Sequence, residues 1–202
     1  MRMTYIIVGI ILIVGLVFCL MSCGNNSKSK NKKMNGGQNI TKTKIHKTKE
    51  NAYGSLRNMA FSATPEQLRL SLPTDKTVVY GIIMDWGMDG ATVTTVSYQT
   101  GDASMYLSTG GAFIGGGQHQ SVNSAAKQFV NLGQTFLDKT LITEKTPLPE
   151  TDMVIFYLLT NKGVYFGKEK MKNFENNSST LLKLFEAGNK VISELRIISE
   201  KE

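Results

Sequence analysis

The chain has 202 residues, a net charge of +7 and 41% hydrophobic residues, which is enough for one globular domain with appendages. The charge is not spread evenly. Residues 24–50 carry eight lysines against one glutamate, whereas residues 51–202 carry fourteen Lys and Arg against fifteen Asp and Glu. A nucleic-acid-binding domain would hold its basic surface on the folded part, so this class is excluded as a partner.

At the N-terminus, Tyr5 to Leu20 is an uncharged apolar run of sixteen residues preceded by Arg2. Its length suits the apolar core of a signal peptide. It ends in Leu20-Met21-Ser22-Cys23, and Cys19 and Cys23 are the two cysteines of the chain. This tetrapeptide resembles the lipobox of bacterial lipoproteins: an aliphatic residue, a tolerated residue, a small residue and then the cysteine. The resemblance implies cleavage before Cys23 and lipidation of its thiol, with residues 1–22 as signal peptide. It further implies a membrane partner reached through lipid on Cys23, in the bacterial cell envelope. Gly24 is not the aspartate that retains such proteins at an inner membrane, which points to the outer membrane. Two or three acyl chains suffice for stable anchoring, because each buried CH₂ contributes about 0.8 kcal/mol. An uncleaved membrane-spanning helix is the other reading of the run.

Residues 23–52 follow as the lipidated Cys23 and a basic tether rich in Asn, Ser, Lys, Thr and Gly. Such a composition cannot bury enough apolar surface to offset its ordering entropy and predicts a disordered coil spanning about 30 Å. His46 falls in this stretch.

A single domain is expected over residues 53–198, with 199–202 as a tail. Thr64, Pro65 and the Glu66-Gln67 pair carry a helix-start signal for a short helix ending near Ser71. Thr77–Trp86, Ala91–Thr100 and Ala103–Thr109 read as three strands, with Asp89-Gly90 supplying a hairpin turn. Val122, Ala126, Phe129, Gly133, Phe136 and Leu137 recur at helical spacing. Met153–Thr160 and Val164–Met171 form a second hairpin around Asn161-Lys162-Gly163. Leu181, Leu184, Phe185, Gly188, Val191, Ile192 and Leu195 then mark an amphipathic helix, with Asn177 or Ser178 as its cap.

The order β-β-β-α-β-β-α predicts an α+β fold with a largely antiparallel five-stranded sheet and two long helices. The layout loosely resembles profilin-like and roadblock-like small domains. Val78–Met84 and Met153–Leu159 are apolar at almost every position, the pattern of strands buried on both faces. Two helices cover one face, so the other needs residues 53–73 or a second copy of the chain.

The candidate chemistry is sparse. Gly115, Gly116 and Gly117 precede a helix and could offer backbone N–H groups to an anion, but neither the phosphate-loop nor the dinucleotide spacing is present. His119 is the domain's one histidine, and any Ser-His-Asp arrangement would have to use it. With no cysteine beside it, no metal site and no cofactor are expected. Trp86 is the one tryptophan and a candidate to stack on a ligand. Asp85, Asp89 and Gly90 do not complete a calcium loop, since Val96 stands where the bidentate glutamate belongs. No catalytic residue can be assigned. The reading is a non-enzymatic envelope lipoprotein that binds a protein partner or its own copy through an uncovered sheet or helix face. The alternative is a small-ligand receptor or hydrolase built on residues 109–119. Replacing Cys23 by Ala is expected to abolish incorporation of a palmitate analogue and move the protein into the aqueous fraction; undiminished labelling would remove the lipoprotein reading.

Overall fold

An antiparallel sheet lies at the centre of residues 52–200, the part of the chain described by the computed structural model. Its strands are β1 (Val79–Met88), β2 (Ala91–Tyr98), β3 (Ala103–Leu107), β4 (Ala112–Phe113), β5 (Leu141–Thr143), β6 (Met153–Thr160) and β7 (Gly163–Lys170). They lie in the order β4-β3-β2-β1-β6-β7-β5, and every pairing is antiparallel. Among the described residues the α-helices are α1 (residues 52–62), α2 (Gln120–Gln134), α3 (Met171–Glu175) and α4 (Leu182–Ser199). The fold is therefore α+β with seven strands, not five. The two strands missed at the sequence level, β4 and β5, are two and three residues long, too short to show a periodicity. The expected signal peptide, the lipobox-like stretch with Cys23 and most of the expected basic tether lie outside the described residues.

The apolar strands occupy the middle, as their composition requires. β1 is buried along nearly its whole length between β2 and β6, and β6 is buried from Val154 to Thr160. Asp89-Gly90 makes the β1–β2 connection, with Gly90 at φ 71°. On one face Ile82, Met84, Trp86, Phe156 and Leu158 pack beneath α2 and α4, which also pack on each other.

The other face is covered by the chain itself. Residues 53–72 lie over it, with Tyr53, Leu56, Ala60, Phe61, Leu68, Leu70 and Leu72 against Tyr80, Ile83, Val96, Tyr106, Tyr157 and Leu159. Here the helix falls earlier than expected. Thr64 and Gln67 do form reciprocal side-chain to backbone bonds at 3.0 and 3.3 Å, the signature of a helix start. The turn stops at Arg69, which takes φ 57°. Continuing the helix would rotate Leu68, Leu70 and Leu72 apart, whereas a more extended course lays all three on the sheet. The start of α4 also differs from expectation: Leu181 takes the N-cap position with no side-chain capping bond, Ser179 Oγ accepts the Leu181 N–H at 3.0 Å in the turn before it, and Asn177 takes φ 62°.

Tyrosine hydroxyls tie α1 down. Tyr98 donates to the Ala60 carbonyl at 2.8 Å and Tyr80 to the Ala63 carbonyl at 2.9 Å, satisfying acceptors that a helix end leaves open. Burial pushes Tyr98 and Tyr80 above their ordinary value, with neighbouring Tyr106 adding to the first and Glu66 to the second. Burial and then the Asp85 charge lift Tyr53 and Tyr157 from 10.0 to about 12. The unfolded chain ionises these phenols first, so their contribution is complete below pH 10.0 and disappears as pH climbs through about 12. Denaturant unfolding followed against pH is expected to show this alkaline loss. Tyr98→Phe should cost about 1 kcal/mol at neutral pH and shrink the loss at high pH.

Candidate binding site at the β5 edge

Beyond β7 the sheet ends in β5, paired through Leu141–Phe166, Ile142–Tyr165 and Thr143–Val164. No strand lies outside it among the described residues. Leu141 is 70% and Ile142 64% exposed, and Leu148 shortly after is half exposed. Isolated exposed apolar residues are ordinary, but Leu141 and Ile142 are consecutive on the edge strand, projecting to opposite faces of the sheet, and Leu148 follows in the loop after it.

After β5 the chain turns back sharply. Thr143 Oγ1 accepts the Lys145 N–H at 3.0 Å and donates to the Lys145 carbonyl at 2.8 Å. The following loop is pinned to the sheet face that carries α1. The Pro147 carbonyl accepts from the Tyr157 hydroxyl at 2.5 Å and from Arg57 Nη2 at 3.4 Å. Further along, the Glu150 carbonyl rests on Gly87 so closely that a Cβ there would collide with it. The Asp152 N–H reaches the Gly87 carbonyl at 2.9 Å. Between this loop and β5, β6 and β7 remains a cavity of about 360 Å³. Ile155, Phe166 and Leu148 give it apolar walls, and Lys145, Lys168 and Glu150 also line it. This volume falls toward the small end of ligand pockets.

The anchor of the arrangement is buried. Asp85 is wholly inaccessible, and Arg57 donates to its Oδ2 from Nη2 at 2.6 Å and from Nε at 3.0 Å. Thr94 Oγ1 donates to Asp85 Oδ1 at 2.5 Å, and Tyr53 Oη lies 2.7 Å from the same Thr94 oxygen. The guanidinium also lies over the Phe61 and Tyr157 rings, at 4.7 and 5.6 Å from their centroids. Burial pushes the Asp85 carboxyl upward, against the pull of the Arg57 bonds and charge and the Thr94 hydroxyl. Burial opposes the Arg57 charge too, yet the Asp85 bond and charge outweigh it and raise the guanidinium. These directions favour opposite states of the pair. The geometry favours the ion pair, since three donors converge on the carboxylate. Nothing in the sequence pattern isolates Arg57; the signal available was an aspartate, Asp85, inside an otherwise apolar strand.

The residues singled out from sequence do not gather. Trp86 is 4% exposed and meets the Phe185 ring edge-on at 5.8 Å, so it packs inside the core. Gly115 is exposed with φ 82°, whereas Gly116 is buried against Leu195 and Val122 with no room for a side chain. Gly117 is close against Asp102. His119 is exposed and precedes α2; its N–H reaches the Gly116 carbonyl at 3.1 Å and its carbonyl accepts from Asn123. The tight packing of Gly116 makes it a structural position, so Gly116→Val would disturb the fold rather than test a ligand site. Neither this cavity nor the other one described, beside Asp152 and Glu175, is lined by a residue from 109 to 119. Among the described residues no group of three or more His, Cys, Asp and Glu could hold a metal ion, and no helix is long and apolar enough to cross a membrane.

What the fold and this edge define is an α+β domain with a sheet covered on both faces and one apolar, cavity-bearing margin. No family model, curated protein or solved structure matches the chain.

Breaking a buried pair leaves one charge without compensation, at about 3–5 kcal/mol. Arg57→Ala is therefore expected to destabilise the domain by about that amount, and Arg57→Met with Asp85→Leu to recover most of it. Chemical denaturation of the variants measures both; equal losses in the single and double variants would refute the assignment.

Proposed function

We propose that this protein is a membrane-anchored envelope lipoprotein whose α+β domain binds a protein partner without catalysing a reaction. The contact surface is the β5 edge with the loop that follows it. The observation that carries this reading is the exposure of Leu141 and Ile142 on a strand with no outer neighbour among the described residues. An unpaired edge presents backbone donors and acceptors ready for another chain.

The sequence suggested an uncovered sheet or helix face as the contact. With residues 53–72 lying over the second face, the sheet has no bare face to offer, and the margin takes its place. Anchoring is supported by the lipobox-like Leu20 to Cys23 stretch, and the basic tether leads from there to α1. The likeness to profilin-like and roadblock-like domains is one of element order and is compatible with pairing between copies.

The test uses the full chain in phosphatidylcholine nanodiscs, exposed to envelope extract from its own host. Wild type is expected to retain a discrete protein, and Ile142→Lys to lose it with unchanged thermal stability. A chain that sediments as a strict monomer and retains nothing would refute the proposal.

A further inference from the structure

An open edge, a cavity and two cations coincide at one margin of the sheet. By register, Leu141 and Thr143 share a face with Phe166 and Val164, and Tyr157 opposite Phe166 carries that face onto Ile155. This is the face over which the cavity lies. In an antiparallel pair, directly opposed residues project to the same side. A strand added outside β5 would thus place the residues facing Leu141 and Thr143 on the cavity side. β4, at the opposite margin, offers two residues and an exposed Ile114, and neither cavity described adjoins it.

Charge narrows the occupant. Lys145 and Lys168 line the cavity, and neither is in any ion pair found among the described residues. Glu150 is the single carboxylate of the lining, so the walls are net positive. The pinning of the loop through Pro147 and Gly87 holds the cavity open before anything arrives, which reduces the ordering cost of binding.

We infer that the partner contributes an extended segment that adds to β5 as a further strand and carries a carboxylate beside a large apolar residue. The apolar side chain enters the cavity against Phe166 and Leu148, and the carboxylate meets Lys145 and Lys168. This inference rests on the protein-binding reading above and names the chemistry of the segment bound.

The experiment pans a phage library of short random peptides against the full chain in phosphatidylcholine nanodiscs, with empty discs to subtract lipid binders. Enriched sequences are expected to hold Asp or Glu next to Leu, Ile or Phe. A synthetic peptide of the dominant sequence should lose about tenfold in affinity for the Lys145→Glu, Lys168→Glu variant. N-methylation of alternate peptide residues should weaken binding in one phase of the alternation and spare it in the other, the mark of strand pairing. Peptides without acidic residues, or indifferent to charge reversal, overturn the carboxylate while leaving the protein-binding margin in place. Equal tolerance of both methylation phases overturns strand addition. No enrichment, or binding unaffected by Ile142→Lys, overturns the margin itself. A dimer in detergent that Ile142→Lys dissolves overturns the foreign segment in favour of a second copy, and binding of the free acid acetyl-phenylalanine as tightly as the peptide does so in favour of a small anion.

Discussion

The bond between Arg57 and Asp85 is the constraint on which the rest of the domain depends. β1 and β6 are apolar on both sides, so the sheet needs two covers, and α2 with α4 supplies one. The second cover is α1 and the chain after it, and a charged side chain on each partner meets at the centre of that interface. Apolar burial is non-directional and so comparatively forgiving of small slides of a helix over a sheet. A buried carboxylate is not, because its donors must arrive at fixed positions or its desolvation is uncompensated. Arg57 thus ties α1 to β1 at one fixed point, and its guanidinium also lies over the Phe61 and Tyr157 rings.

The same contact shapes the margin. Arg57 and Tyr157 share the Pro147 carbonyl, so the loop beyond β5 is fastened to the core rather than left to drift. With both faces closed, what remains of the sheet's bonding capacity is at its ends. Both ends are short, which is a common way to discourage indiscriminate edge pairing. Of the two cavities described, the one at the β5 end joins exposed aliphatic residues to net positive walls. Selectivity at such an edge has to come from side-chain pockets, since backbone pairing is the same for any sequence.

Much of the fold was legible. Both central hairpins, the Asp89-Gly90 turn and the buried stripes of α2 and α4 follow from residue periodicity and turn chemistry. So did the need for a second cover and the part of the chain able to provide it. α1 was overlooked although Tyr53, Leu56 and Ala60 already recur at helical spacing, because the strong start signal at Thr64 drew the helix later. β2 reads as half polar, yet Thr92 to Ser97 is buried throughout. Thr94 is accommodated by Asp85 and Tyr53, while Thr95 Oγ1 and Ser97 Oγ have no protein partner.

Of the candidate site, little was visible in one dimension. Glycine clusters and rare residues such as Trp86 and His119 attract notice in a sequence, but packing absorbed Trp86 and Gly116. The residues that form the margin, from Leu141 to Glu150 with Ile155, Phe166 and Lys168, are individually unremarkable and come together from separate strands. Sequence by itself determined the long strands, the two long helices and which strands must be doubly buried, because periodicity and apolar content are local properties. Only tertiary structure decided that a charge lies at the centre of one face and that the open surface is an edge, because both depend on which distant residues end up as neighbours.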